Sequence, residues 1–411
     1  MNYLETLDYL YRRLPMYQRQ GGAALKKDLT NIRRLLAALG HPERRMGRIL
    51  HVAGTNGKGT TCHLLAAALQ AEGQRVGLYT SPHYRDFRER IKINGALVPQ
   101  GEVVDFVARH RELIETVEPS FFEITVAMAF DYFARREVDW AVVEVGLGGR
   151  LDSTNVVTPV LSVITNIGLD HTQFLGETLA EIAGEKAGII KPGVPVVIGE
   201  RQEETTTVFT ERAGSNRLVF ASDRPLPETI HGGPHFAKNL RTAAVAFDLL
   251  HDRKEVTGTG RTVVELADRF ASMTYFLGRW QVLQTDPTLI IADSAHNHEG
   301  LRPVLAKIDE LCRGRGGRGH YVLGVVNDKD LSRVLPLLPR EADYYFVKAD
   351  IPRGLPANDL RVAAGRYGLN GETYPSVVAG YAAARAAARP EDVVFIGGSI
   401  FTVAEVIPVP S

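Results

Sequence analysis

The sequence predicts an α/β protein made of two parallel-sheet units, the second smaller and Rossmann-like. Three observations predict it. Short, continuously apolar runs alternate with helical patterns through the first two thirds of the chain. The alternation stops and begins again near Thr288. A glycine-rich loop stands between the first apolar run and the first long helical pattern. Strands that are apolar along their whole length, separated by helices, describe a parallel sheet covered on both faces.

The elements follow in order. The first forty residues read as helix and loop. ILHVA (49–53) is a buried strand, residues 60–73 form a helix closed by a glycine, and VGLYT (76–80) is the second strand. WAVVEVG (140–146), VLSVITNIG (160–168) and VPVVIG (194–199) are further strands. After Thr288, TLIIADS, HYVLGVV, YYFVKA and VVFIGGS repeat the pattern, and the Ala/Arg-rich helix ending at Ala388 is followed by Pro390. The polar TDP segment places the linker near residues 284–287, so the domains are expected at 1–285 and 286–411. CRGRGGRGH (312–320) reads as a solvated surface loop.

Composition excludes several classes. The 411 residues carry 48 Lys plus Arg and 48 Asp plus Glu, so no net field argues for a nucleic-acid or membrane partner. Any anionic ligand must be held by local groups. Cys62 and Cys312 are too few and too far apart for a disulfide or metal framework, and read as small buried residues of a reducing compartment. The N-terminus lacks the pattern of a secretory signal, and no stretch approaches about 20 uninterrupted apolar residues. A cytoplasmic protein is expected.

The strongest chemical signal is AGTNGKGTT (53–61), which follows a strand and opens a helix. Glycines let backbone N–H groups turn toward phosphate oxygens, and the helix N-terminus adds partial positive charge. Asn56, Gly57, Lys58, Gly59 and Thr60 are therefore the nucleotide candidates, and residues 1–285 read as a P-loop parallel-sheet ATPase domain. Gly59 occupies the place where a magnesium-binding hydroxyl usually stands, so that hydroxyl is sought at Ser81 in TSPH. Glu144 ends the strand WAVVE, where a magnesium ligand belongs. His171 follows the next strand, with Asp170 placed to orient it or a metal-bound water. Read alone, Lys186 is an exposed helix lysine, Arg90 a surface arginine, and Lys191 has no functional case.

GTNGKGT, YTSPH, FFEITVAMAF, VEVGLGGRLDSTN, NIGLDHTQFLG and IAGEKAGIIKPG occur in this order, followed by GPHFAKNLRTA, LGRWQVL, DSAHNHEG and GVVNDKD. From about Gly54 to Ala404 the chain resembles the folylpolyglutamate synthase family of the Mur-ligase superfamily. The resemblance implies two domains with ATP in the cleft between them. It assigns Lys58 and the backbone of 57–60 to the phosphates. It gives Ser81, Glu144 and His171 to magnesium, and makes Lys186 a carbamylated lysine beside a second magnesium. Asn239 and Arg279 become ATP contacts, with Asp293 and His296 closing on the nucleotide. Lys58, His171, Lys186 and Arg279 form the catalytic set. Phe122 and Glu123, beside Phe121, and the loop Leu151, Asp152, Ser153 are the acceptor candidates. Ser294 departs from the glycine or threonine usual at its position.

The implied activity is ATP-dependent ligation of L-glutamate to the carboxylate of dihydropteroate and/or a folylpolyglutamate through an acyl phosphate. The implied protein is a monomer whose partners are small molecules. Two rivals differ in sequence. A muramyl-type ligase usually carries an extra N-terminal domain, for which a phosphate loop at Gly54 is expected to leave no room. A P-loop switch or transport ATPase would not need DSAHN.

Overall fold

The computed structural model describes residues 1–15, 28–227, 232–327 and 329–408. Part of the expected N-terminal helix and loop region (16–27) and Asp328 of GVVNDKD lie outside the described residues. The chain divides into two compact units: residues 1–231 with 236–276, and 232–235 with 277–411.

The first unit is built on eight strands among the described residues: β1 (Arg48–Ala53), β2 (Val76–Tyr79), β3 (Ile91–Ile93), β4 (Ala96–Leu97), β5 (Trp140–Glu144), β6 (Leu161–Ile164), β7 (Val196–Ile198) and β8 (Leu218–Phe220). Their order is β4-β3-β2-β5-β1-β6-β7-β8. β2, β5, β1, β6, β7 and β8 run parallel, and β3 and β4 turn back antiparallel at one edge. β2, β5, β1, β6 and β7 are largely apolar and buried on both faces, as their sequence requires, and the edge strand β8 is only partly buried. The Lys58–Ala71 helix is buried over most of its length against Leu50, Val52, Val142 and Val163. The Phe121–Arg135 helix packs in a separate apolar cluster with Ala141 and Val143. Strand register aligns the functional ends of the sheet. Val52 pairs Glu144, Ala53 pairs Ile164, and Tyr79 pairs Val143. The strand ends that deliver the phosphate loop, Ser81, Glu144 and the 165–171 loop therefore lie side by side.

The second unit holds β9 (Gln281–Gln284), β10 (Leu289–Ala292), β11 (Gly319–Leu323), β12 (Asp343–Phe346), β13 (Gly371–Thr373) and β14 (Val393–Gly397), in the order β13-β12-β11-β14-β10-β9. All neighbours are parallel except β9, which pairs antiparallel with β10.

Two expectations from the sequence are corrected by the fold. The polar TDP segment is the connection between β9 and β10, not the linker, because β9 is an edge strand of the second sheet. The division between units falls earlier, between Phe276 and Leu277. Nor is 312–320 a surface loop. The His298–Arg315 helix runs through Cys312, which is buried, and ends on Gly316 at φ 69°. β11 begins at Gly319. A left-handed glycine after a long helix is a stop signal that composition alone hides.

Candidate active site

The phosphate loop is shaped by contacts it makes with the 165–168 segment. The backbone N–H groups of Thr55 and Asn56 donate to the carbonyl and side-chain oxygens of Asn166, each at 2.9 Å. Thr165 Oγ1 donates to Asn56 O at 2.6 Å, and Gly168 N–H to Thr55 Oγ1 at 2.9 Å. Sequence reading missed Thr165 and Asn166. The signal available was their place at the end of β6, beside the loop-bearing strand. Gly54 has φ 145°, and a Cβ there would stand 1.8 Å from Thr165 Oγ1. Gly57 has φ 83°, and a Cβ there would stand 2.1 Å from Asn239 Oδ1. Both positions need glycine, and the second brings Asn239, from the Phe236–Asp252 helix, onto the loop.

Helical N–H groups begin at Lys58. The Lys58 amine folds back onto the loop, donating to Gly54 O at 3.1 Å and Thr55 O at 3.2 Å. The buried Glu144 carboxylate lies over Gly59, where an added Cβ would be 3.7 and 3.8 Å from its oxygens. Its Oε2 accepts the Ser81 backbone N–H at 2.9 Å. The missing hydroxyl at residue 59 thus leaves room for this carboxylate to approach the first helical turn. The loop after β2 is tied down by Lys92, whose buried amine donates to Glu89 O at 2.7 Å and Thr80 Oγ1 at 3.2 Å. Burial lowers that amine to about 8.

His171 follows β6 with φ 52°, and its N–H donates to Asp170 Oδ1 at 3.0 Å. Lys186 ends the Leu179–Lys186 helix and is 4% exposed, which corrects the reading of an exposed helix lysine. Its amine is lowered to about 7, first by burial and then by the Lys58 cation, against the opposing charges of Asp170 and Asp152. Lys58, Lys186 and Asp170 thus share one electrostatic neighbourhood. Arg90 is also buried, not a surface residue: its Nε donates to His83 Nδ1 at 2.7 Å, and its guanidinium lies 5.3 Å from the Phe121 ring centre.

The acceptor candidates divide. Phe121 is core, whereas Phe122 is partly exposed and rests against Gly146, where a Cβ would be 2.5 Å from its ring. Glu123 is buried, and its Oε2 accepts the Ser120 N–H and hydroxyl at 2.7 and 2.9 Å, closing the helix cap. Leu151 is 37% exposed and Ser153 partly so. Asp152 is buried, taking the Leu147 N–H at 2.9 Å and the Thr154 hydroxyl at 2.5 Å. Lys191 gains a task that the sequence withheld, donating to Asn155 O at 3.0 Å.

In the second unit, Arg279 sits between Gly278 (φ 68°) and Trp280 (φ 43°). Asp293 braces this turn, its carboxylate accepting the N–H of Trp280 at 2.6 Å and of Ala295 at 2.7 Å. Ser294 donates through N–H and hydroxyl to Gly278 O at 3.1 and 2.9 Å. His296 Nδ1 donates to Ser294 O at 3.0 Å. Asn297, unremarked in the sequence, caps the His298–Arg315 helix.

Among the described residues, no group of three or more His, Cys, Asp or Glu gathers as a metal cage. Glu144 with Ser81 suits a magnesium ion, which keeps several waters and takes phosphate oxygens, needing one or two protein carboxylates. The left-handed Gly57 at a helix N-terminus suits a phosphate.

The first α/β unit, with a phosphate loop beside a strand-end carboxylate, has the arrangement of a P-loop nucleotide-binding protein. Residues 52–222 match the Mur ligase middle domain, and residues 278–400 match the Mur ligase glutamate ligase domain. A dihydrofolate synthase/folylpolyglutamate synthase of Bacillus subtilis is 33% identical over 417 residues, covering 93% of this chain and 94% of that protein. The chain belongs to the folylpolyglutamate synthase/dihydrofolate synthase family. A probable bifunctional folylpolyglutamate synthase/dihydropteroate synthase of Haloferax volcanii is 36% identical over 98% of this chain, which spans 50% of that protein. A Yersinia pestis folylpolyglutamate synthase/dihydrofolate synthase, solved with AMPPNP and a Mn ion, superposes with a TM-score of 0.82 at 28% identity, covering 99% of this chain and 97% of that one.

Proposed function

We propose that this protein is an ATP-dependent ligase that joins L-glutamate to the carboxylate of dihydropteroate and/or a folylpolyglutamate through an acyl phosphate. The observation that carries the reading is the Glu144 carboxylate held by Ser81 over the first turn of the phosphate-loop helix. The names of the relatives, and the nucleotide and metal of the Yersinia pestis structure, support it.

The backbone of residues 56–60 and the Lys58 amine hold the ATP phosphates, and Asn239 borders them. Ser81, Glu144 and His171 would hold one magnesium ion. Lys186, as a carbamate, would serve a second. Arg279, Asp293 and His296 serve the nucleotide. Phe122, Glu123, Leu151, Asp152 and Ser153 border the acceptor. When bound, the divalent ions supply positive charge to the phosphate oxygens.

The chemistry needs activation because a carboxylate repels the amine and has no good leaving group. An acceptor carboxylate oxygen bonds to the γ-phosphorus as the bond to the ADP oxygen breaks. The glutamate nitrogen then bonds to the acyl carbon, loses a proton, and phosphate leaves. Lys58 and Arg279 stabilise the charge on the transferring group, and binding positions the reactants in line. The neutral amine is the form able to add carbon dioxide, and burial, by lowering Lys186 to about 7, makes that form well populated near neutral pH.

Phosphate release with ATP, glutamate and either dihydropteroate or tetrahydrofolate tests the reading. Release that depends on glutamate and one acceptor is expected, and Lys58→Ala is expected to abolish it while leaving the thermal melt intact. Absence of acceptor-dependent release with both pterins would remove the folate assignment. Retained turnover in Lys58→Ala would remove the phosphate-loop assignment. No helix among the described residues is long and apolar enough to cross a membrane. The protein is further proposed to act as a cytoplasmic monomer, which sedimentation at working concentration checks.

A further inference from the structure

β1 carries a histidine in the middle of the first sheet, and no step of the ligase chemistry uses it. His51 is fully buried, between Leu50 and Val52. Its Nε2 lies 2.9 Å from Thr154 Oγ1, in the 147–155 loop that follows β5. The direction of this bond follows from proton counting. The Thr154 hydroxyl has one hydrogen, and it is committed to Asp152 Oδ1 at 2.5 Å. Thr154 must therefore accept from His51, so Nε2 carries the imidazole hydrogen. Nδ1 then holds a lone pair, buried without a hydrogen-bond partner. An orphaned buried acceptor is costly, and its retention points to what the other nitrogen does.

The chain of bonds continues from Thr154. Asp152 Oδ1 also accepts the Thr154 N–H at 2.9 Å, and Oδ2 accepts the N–H of Leu147 at 2.9 Å. The Gly146 N–H bonds the same carboxylate. Asp152 thus closes the loop at its base, and His51 fastens the closed loop to β1. β1 is also the strand that leads into the phosphate loop, two residues later at Ala53.

We propose that His51 is a positioning residue: its single donated hydrogen bond sets the acceptor loop against the strand that carries the phosphate loop, so acceptor affinity depends on a side chain that touches no substrate. The inference rests on the proposed binding of the acceptor at residues 151–153. It reaches a histidine outside that site.

The experiment compares His51→Gln, whose side-chain amide nitrogen reaches the place of Nε2, with His51→Leu, which donates nothing. Steady-state kinetics are read with ATP, glutamate and whichever of dihydropteroate or tetrahydrofolate the unaltered enzyme turns over. His51→Leu is expected to raise KM for that acceptor about tenfold and to leave KM for ATP within about twofold, while His51→Gln restores the acceptor KM to within about threefold. In a Thr154→Val background His51→Leu is expected to add nothing. The proposal is overturned if Gln and Leu behave alike, if both KM values rise together, or if the two substitutions are additive. Should His51→Leu not fold, the pair Thr154→Ser and Thr154→Val reads the same bond from its other end. Ser must then preserve the acceptor KM and Val raise it, and equal values overturn the proposal. Failure of the underlying reading is separate: the unaltered enzyme would then show no turnover with either dihydropteroate or tetrahydrofolate.

Discussion

Ser81 and Glu144 come from different strands, and the backbone N–H of one donates to the carboxylate of the other at 2.9 Å. That bond aims a buried anion at the first turn of the phosphate-loop helix. Four of the expected consequences of the site's geometry are open to direct measurement.

Glu144→Gln keeps the shape of the side chain and the acceptor for Ser81, but removes the charge. Calorimetric titration with Mg·ATP is expected to show affinity at least about tenfold weaker, from the loss of a charged metal ligand. An unchanged Kd would take Glu144 out of the metal site.

Gly57→Ala meets two obstacles, a φ of 83° and an Asn239 Oδ1 atom 2.1 Å from the new Cβ. A loss of at least about 1–2 kcal/mol is expected from backbone strain alone, seen as a lower melting temperature. Adding Asn239→Ala relieves the clash, so the double variant is expected to melt above the sum of the two single effects. Additive behaviour would show that the side chains do not meet.

The Lys186 amine is held at about 7, well below the ordinary lysine value, chiefly by burial. It is neutral above that pH and charged below it. In protein equilibrated with 13C-bicarbonate, a carbamate resonance is expected at pH 8, fading as the pH falls through 7 and absent in Lys186→Arg. A signal that persists unchanged at pH 6 contradicts the assignment. The sign of the stability effect follows too. The unfolded chain binds this proton more tightly, so the lysine's contribution to stability rises with pH between about 7 and 10.5.

Ser294→Ala deletes one of two hydrogen bonds to Gly278 O, beside Arg279. A buried, neutral bond of this kind is worth about 1 kcal/mol, so a melting temperature lower by a few degrees is expected. Ser294→Thr is expected to hold it. Equal melting temperatures for Ala and the parent would show that the backbone N–H bond alone is enough.

Parallel strands announce themselves by unbroken apolar runs, and a phosphate loop by glycines whose dihedral angles other residues resist. Those are local properties, so the α/β class, the strands from ILHVA to VVFIGGS, and the residues of the loop were all present in the order of amino acids. Burial is not local. Lys186 and Arg90 read as surface cations because nothing in their neighbours along the chain reveals the 149–150 loop packed on the backbone at the end of the Lys186 helix, or the Phe121 ring beside the Arg90 guanidinium. Nor could the TDP turn be told from a linker before β9 was seen to pair with β10. The sequence by itself determined which chemical groups this protein has and which segments carry them. Only the tertiary structure decided which of those groups lose their water, because desolvation and hydrogen-bond partners are set by strands and helices distant in the chain. The lowered Lys186 amine, the Glu144 carboxylate beneath Ser81 and the tautomer of His51 all come from that.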